Sequence, residues 1–139
     1  MKIYTRAGDD GTTGLYFGGR VAKSSDPIEV NGSVDEAQAA LGWARSLTEA
    51  QSRLNEMIVT LERDLYVLMA EVATLPVNRH KLIDGSSKVT PEMVARLETL
   101  IDELAAEYEM PTEFVVPGEN QLSAAAIKRA ERDMNPPYG

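Results

Sequence analysis

The first 23 residues of the chain carry the side chains best suited to binding an anion. Half of the 10 glycines lie here: Gly8, Gly11, Gly14, Gly18 and Gly19. Hydroxyl, cationic and acidic residues stand between them: Thr5, Arg6, Asp9, Asp10, Thr12, Thr13, Arg20 and Lys23. Glycines let successive backbone N–H groups converge on a phosphate, and hydroxyls and cations complete such a site. The segment has no Walker A sequence, and a plain N-terminal turn has the same composition, so both interpretations stay open.

Three further groups of side chains are candidates for a binding site. Asp35 lies at the margin of a predicted helix face, either as a solvated flank or as the partner of an arginine from another helix or subunit. Phe114 is either a core residue or an aromatic wall for a bulky ligand. Lys128 and Arg132, with Glu131 beside them, share one helical face, which is either solvated or a cationic strip for a polyphosphate. For a metal, Asp9 and Asp10 offer carboxylates to Mg²⁺, but the sequence leaves the metal ligands unknown.

Apolar residues at alternating spacings of four and three predict the helices that position these groups. Their apolar faces are Val30, Val34, Ala37, Leu41 and Ala44; Leu54, Ile58, Leu61, Leu65, Leu68 and Val72; and Met93, Leu97, Leu100, Leu104 and Tyr108. The first helix is predicted to start with Asp26 as N-cap and Pro27 at its first position. The second spans about 52–74 and the third opens at Thr90, with a weaker fourth over 121–134. Without a visible strand pattern, the predicted fold is an all-α antiparallel helical bundle with an irregular glycine-rich N-terminal loop.

Composition narrows the class of protein further. The length of 139 residues predicts one domain over 1–139, and the net charge of −8 argues against nucleic acid and anionic membranes as partners. The absence of cysteine excludes a disulfide framework, a thiolate zinc site and a cysteine nucleophile. His80, the one histidine, argues against a serine–histidine triad and is expected on a surface loop. No apolar run is long enough for a membrane span and no signal peptide is visible, so we expect a cytoplasmic protein.

Several segments resemble the PduO-type ATP:cob(I)alamin adenosyltransferases, and they occur in that family's order. The segments are residues 4–15, 19–23, 32–36, 39–42, 114–118 and 129–132. The first of them is quite specific alone, and together they span nearly the whole chain. The resemblance implies a five-helix bundle that forms a homotrimer with active sites between subunits. It also implies transfer of the 5′-deoxyadenosyl group of ATP to the cobalt of cob(I)alamin, giving adenosylcobalamin and triphosphate with the help of Mg²⁺.

The resemblance assigns roles to individual residues. The ATP triphosphate would be lined by Thr5, Arg6, Gly8, Thr13, Gly14 and Lys23. A neighbouring subunit would close on ATP with Lys128, Arg129, Glu131 and Arg132. Asp35 would pair across the interface and shape the corrinoid pocket, and Phe114 would be the apolar wall that displaces the lower axial ligand of cobalt. The residues expected to act in catalysis are Asp35, Arg129 and Arg132.

Several positions depart from the family pattern. Ala7 stands where threonine is usual, Lys128 where arginine is usual, and Ala37-Gln38 where Leu-Asn is usual. An arginine that normally precedes the basic strip has no counterpart. Ala7 and the incomplete basic segment are the features that favour the alternative to the transferase, a non-catalytic nucleotide- or corrinoid-binding bundle that acts as a sensor or carrier.

The largest departure is at the end of the chain, where the family's fifth core helix has no match. Either the chain is truncated and inactive, or stretches of the natural chain are missing from this sequence. We favour the second explanation. It also accounts for the short stretch of ten residues between Gly118 and Arg129 and for the abrupt Asn135-Pro136-Pro137-Tyr138 end.

Overall fold

A computed structural model of the protein describes residues 3–107 and residue 112. This part contains three α-helices: α1 (Asp26–Ser46), α2 (Arg53–Val72) and α3 (Pro91–Glu107). It also contains a 3₁₀ helix, Pro76–Lys81, and two short strands, β1 (Thr12–Gly14) and β2 (Arg20–Ala22). The predicted helical fold is confirmed. The predicted fourth helix over 121–134 lies outside the described residues, so the number of five helices and the single domain over 1–139 stay predictions.

The helix ends differ from the prediction by one or two residues. The N-cap of α1 is Ser25, not Asp26, so Asp26 begins the helix and Pro27 follows within its first turn, where a proline lacks only an N–H that has no helical partner. The N-cap of α2 is Ser52, the residue at which the second helix was predicted to begin, and its hydroxyl accepts a hydrogen bond from the Asn55 N–H at 3.2 Å. This helix ends at Val72, earlier than expected.

Helices α1 and α2 pack antiparallel and form the core. Leu41 and Ala44 of α1 are buried against Ile58 of α2, and a surrounding layer packs on them: Leu54, Leu61 and Leu65. Two amides fix the register, since Asn31 Nδ2 donates to Met69 O at 3.3 Å and Gln38 Nε2 to Glu62 O at 2.8 Å. The apolar face predicted for α1 is therefore right at its C-terminal half.

Two aromatic or branched residues of α1 are more exposed than the sequence predicted. Val30 keeps 45% of its surface exposed, although it lies on the predicted apolar face. Trp43, assigned to packing from its size, is 53% exposed. In the described part of the chain the packing prediction is therefore wrong for both residues.

Helix α3 runs antiparallel to α2. Ion pairs connect the two helices, and an apolar groove lies between them. Arg96 of α3 pairs with Asp64, while Arg53 pairs with Glu103 and Glu107 at the other end. Between the helices lies an apolar groove of about 230 Å³, lined by Leu41, Leu61, Asp64, Leu65, Leu68, Val89, Met93, Val94 and Leu97. Met93 is the buried anchor of α3 at 8% exposure. No helix within residues 3–107 is long and apolar enough to cross a membrane.

The expectation that no strand would occur is wrong. Strands β1 and β2 form an antiparallel hairpin that pairs Thr12 with Ala22, Thr13 with Val21 and Gly14 with Arg20. Each strand has only three residues, too few to show an alternating apolar pattern. The hairpin replaces part of the predicted irregular loop with a defined frame.

The tip of the hairpin docks on the C-terminal end of α2. The Tyr16 N–H donates to Ala73 O at 2.9 Å, and Asn78 Nδ2 of the 3₁₀ helix donates to Phe17 O at 3.2 Å. Gly19 lies against Leu75 with φ of +95°, a conformation that favours glycine. The hairpin is thereby fixed to the helices at the end where α1 begins and α2 ends.

Candidate functional site

The glycine-rich loop before β1 folds into two successive tight turns. The Asp9 N–H donates to Arg6 O at 3.2 Å and the Gly11 N–H to Gly8 O at 3.1 Å. Arg6 and Gly11 take positive φ values of 61° and 82°. The Thr5 hydroxyl accepts a hydrogen bond from the Ala7 N–H at 3.3 Å. The loop is thus an ordered series of turns, and it brings two of the predicted triphosphate residues, Thr5 and Arg6, next to Gly8.

Gly8 and Lys23, both predicted to bind triphosphate, lie in contact. A Cβ atom at position 8 would be 2.8 Å from Thr12 O, 3.1 Å from Lys23 Cε and 3.2 Å from Lys23 Nζ. The Lys23 backbone is held in place because its N–H donates to Gly11 O at 2.9 Å. The ammonium group therefore lies directly over a backbone segment that has no side chain to shield it.

Arg20 connects the loop to the hairpin. Its Nη2 donates to Ala7 O at 2.7 Å and to Thr12 O at 3.2 Å, and its Nε donates to the Thr12 hydroxyl at 2.9 Å. Nη2 also lies 3.9 Å from a carboxylate oxygen of Asp10. Sequence reasoning gave Arg20 no specific role, since its partners become visible only once the hairpin sets Arg20 opposite Gly14.

Asp10 is bound within the loop. Its Oδ1 accepts hydrogen bonds from the Thr12 hydroxyl at 2.8 Å and the Thr12 N–H at 2.9 Å. These hydrogen bonds, with a smaller contribution from Arg20, lower the pKa of Asp10 below its ordinary value. Asp10 Oδ1 is thus engaged by Thr12, and residues 3–107 contain no cluster of three or more acidic or histidine side chains for a metal, so the metal ligands stay a prediction.

Some cationic side chains of the described residues pair with a carboxylate, and others do not. The cations that pair with a carboxylate in the described residues are Arg20, Arg45, Arg53, Arg79, Lys88 and Arg96. Arg6 and Lys23 have no carboxylate partner among residues 3–107; Arg6 instead lies 5.5 Å from the ring of Tyr4. Two cations without a carboxylate beside a glycine-rich turn form an arrangement that attracts an anion.

The other predicted residues are placed differently. Thr13, half-buried, and Gly14, exposed, lie on β1, one strand residue beyond the loop. Asp35 lies exposed on α1 with no ion pair in the described part of the chain. Phe114, Lys128, Arg129, Glu131 and Arg132 lie outside the described residues, so their roles stay predictions. His80 lies exposed on the 3₁₀ helix, as expected of a surface residue.

Glu71 is a largely buried carboxylate whose structural role the sequence did not reveal. Its side chain, 18% exposed, pairs with Arg79 and accepts a hydrogen bond from the Val89 N–H at 2.7 Å. It thus ties the end of α2 both to the 3₁₀ helix and to the segment that enters α3. Only the tertiary fold brings these three positions together, and spacing in the sequence carries no signal of it.

The fold and the loop define the class first: a helical protein that presents a cationic, glycine-rich loop from an N-terminal hairpin. A family model described as cobalamin adenosyltransferase matches residues 3–134. The chain belongs to the cobalamin adenosyltransferase family, as the resemblance implied.

Individual relatives agree with this assignment. The chain is 37% identical over 123 residues to a corrinoid adenosyltransferase of Citrobacter freundii, with 88% of this chain and 68% of the relative covered. It is 34% identical over 137 residues to a corrinoid adenosyltransferase of Mycobacterium tuberculosis, with 94% and 70% covered.

Solved structures show the same fold. A variant PduO-type ATP:corrinoid adenosyltransferase from Lactobacillus reuteri, complexed with cobalamin and ATP, aligns with a TM-score of 0.71 at 24% identity. The alignment covers 96% of this chain and 76% of that one.

Proposed function

We propose that this protein transfers the 5′-deoxyadenosyl group of ATP to the cobalt of cob(I)alamin, releasing triphosphate. Membership of the cobalamin adenosyltransferase family supports the reaction. One observation in this chain carries the assignment of the nucleotide site: the Lys23 ammonium lies over Gly8 without a carboxylate partner in the described residues. A triphosphate is bound through charge-assisted hydrogen bonds from such a cation.

The triphosphate lies, in this proposal, against the turns of the loop. Lys23 and Arg6 neutralise its charge, Thr5 offers a hydroxyl, and Gly8 allows the phosphate to approach the backbone. Thr13 and Gly14 extend the contact along β1. Because Asp10 is bound to Thr12 and Arg20, Mg²⁺ would be held mainly by phosphate oxygens and water, the usual way proteins bind it with nucleotides.

The chemistry asks little of protein side chains as acids or bases. Cobalt in cob(I)alamin is a strong nucleophile: its electron pair forms the cobalt–carbon bond as the 5′ C–O bond breaks and its electrons leave with triphosphate. The protein must align the 5′ carbon with cobalt and stabilise charge on the leaving group. The lack of cysteine and the surface position of His80 are therefore compatible with an enzyme.

The remaining residues act at a site shared between subunits of a homotrimer in this proposal. Lys128, Arg129, Glu131 and Arg132 reach ATP from the neighbouring subunit. Asp35, exposed on α1, pairs across the interface and shapes the corrinoid pocket, which suits a carboxylate without a partner in its own described chain. Phe114 forms the apolar wall beneath the corrin. The cytoplasmic location stays a prediction.

An anaerobic assay with chemically reduced cobalamin and MgATP tests the function. We expect ATP-dependent loss of the cob(I)alamin absorbance with release of one triphosphate per cobalamin consumed. Omission of ATP is the control for oxidation by traces of oxygen. Binding of ATP without loss of cob(I)alamin would instead favour the nucleotide-binding bundle that lacks catalysis.

A further inference from the structure

Arg20 makes more hydrogen bonds to the loop than any side chain among residues 3–107 that is predicted to bind ATP. Its guanidinium donates to Ala7 O and Thr12 O and to the Thr12 hydroxyl, so it spans the turns that contain Gly8 and Gly11. Thr12 and Arg20 lie on paired strands, which set the distance between them. With its donors directed at protein oxygens and Asp10 beside it, Arg20 is occupied within the loop.

The bond to Ala7 O has a consequence for the next residue. In a trans peptide the C=O and the following N–H point in opposite directions, and the described chain has no cis peptide bond. Holding Ala7 O toward Arg20 therefore turns the Gly8 N–H away from Arg20. No described residue accepts a hydrogen bond from this N–H. Gly8 is also the position against which Lys23 Nζ lies.

We propose that Arg20 is a positioning residue that fixes the Ala7–Gly8 peptide so that the Gly8 N–H donates to the triphosphate. Arg20 itself does not contact the phosphate. The inference rests on the proposed function for the identity of the ligand, but its geometry is independent of catalysis. It gives two neighbouring arginines different roles: Arg6 of the loop, without a carboxylate partner in the described residues, acts on the ligand, and Arg20 of β2 acts on the loop backbone.

Steady-state kinetics of Arg20→Ala provide the first test. We expect the KM for ATP to rise about tenfold, the effect of losing one hydrogen bond to a charged group. The KM for cob(I)alamin and kcat should change less than about twofold. Arg20→Lys, which keeps the charge and can reach one carbonyl, should recover part of the ATP affinity. Arg63→Ala, an exposed arginine of α2 with no ion pair in residues 3–107, is the control for the change in net charge.

A second measurement does not need turnover. Sodium triphosphate is titrated into ¹⁵N-labelled protein, and the Gly8 amide proton should move downfield in the wild type and much less in Arg20→Ala. If the wild type shows this shift but no adenosyl transfer, the proposed function fails and the role of Arg20 stands. An unchanged KM for ATP in Arg20→Ala would overturn the role of Arg20. So would a Gly8 amide proton whose chemical shift does not change when triphosphate is added to the wild type.

Discussion

The Lys23 ammonium lies where a side chain at position 8 would have to be, 3.2 Å from the Cβ that an alanine would add there. The same Cβ would be 2.8 Å from Thr12 O, which is backbone held in the hairpin and cannot move aside cheaply. Packing alone therefore favours glycine at position 8.

This relationship predicts the effect of Gly8→Ala on nucleotide affinity. The added methyl group displaces either the Thr12 carbonyl or the lysine amine, so the KM for ATP should rise by about tenfold or more, equivalent to about 1.4 kcal/mol. Lys23→Ala should show a similar rise, and the double variant should be less than additive because both changes disturb one contact. Gly32→Ala on α1, where an added Cβ meets nothing within 4 Å, is the control. Fully additive effects of Gly8→Ala and Lys23→Ala would contradict the coupling.

Glu71 predicts a graded loss of stability. Glu71→Gln loses the ion pair with Arg79 but keeps an oxygen for the Val89 N–H, and Glu71→Ala loses both. We expect the free energy of unfolding to fall by about 1 kcal/mol for Gln and by about 2–3 kcal/mol for Ala, as for hydrogen bonds to a charged group. Urea unfolding measures both.

The matched control for Glu71 is Glu103→Gln. This carboxylate also pairs with an arginine, Arg53, but it is 56% exposed, so its loss should cost less than about 1 kcal/mol. Equal effects of Glu71→Gln and Glu71→Ala would show that the Val89 hydrogen bond contributes nothing.

The pKa of Asp10 predicts a pH dependence of the loop. Because hydrogen bonds from Thr12 hold this pKa below the ordinary 3.8, the carboxylate contributes fully to folding above that value. The contribution is lost as the pH falls through the lowered pKa. In an NMR titration of the Asp10 carboxyl, Thr12→Ala should raise the pKa more than Arg20→Ala, since the Thr12 side chain has the largest effect. The reverse order would mean that charge, not hydrogen bonding, governs Asp10.

Gly19 predicts a coupling between the hairpin tip and the helices. With φ of +95° and Leu75 against it, Gly19→Ala meets both backbone strain and a collision with Leu75. We expect a loss of about 1–3 kcal/mol of stability. In a Leu75→Ala background only the collision should disappear, so a double-mutant cycle separates the two effects. Gly14→Ala, in the same hairpin but with open space, should be nearly neutral in stability.

Subunit mixing tests the proposed shared site. At an ATP concentration well below the wild-type KM, Lys23→Ala and Arg132→Ala should each keep about a tenth of the wild-type activity, because each removes a triphosphate contact and raises the KM for ATP. Refolded together in equal amounts, they should recover about a quarter of the wild-type activity, since random trimers place both intact residues at one site in four. No recovery would indicate that position 132 acts on the ATP of its own subunit, or that the protein is a monomer.

The sequence predicted the helices well because their apolar residues repeat at helical spacing. Leu41, Ala44 and Ile58 lie in the core as the pattern requires. Val30 did not follow it, since exposure on α1 depends on which elements cover it, and spacing along one helix does not contain that information.

The sequence identified residues of the candidate site but not the contacts between them. Gly8 and Lys23 were both identified, yet nothing in the fourteen intervening positions indicates that they touch. The three-residue strands that bring them together are too short to leave a pattern. For the same reason Arg20 had no predicted role. Asp10 was considered as a magnesium ligand, and its hydrogen bonds at Oδ1 from Thr12 were not foreseen.

The hairpin also has a mechanical consequence. Strand β2 leads into α1 within a few residues, and the hairpin tip is hydrogen-bonded to Ala73 at the end of α2. The hairpin therefore connects the N-terminal end of α1 to the C-terminal end of α2. A ligand that stabilises the loop therefore raises the free energy needed to separate these two helices. Amide hydrogen exchange at the first turn of α1 and the last turn of α2 should slow together when nucleotide binds, although neither turn touches it.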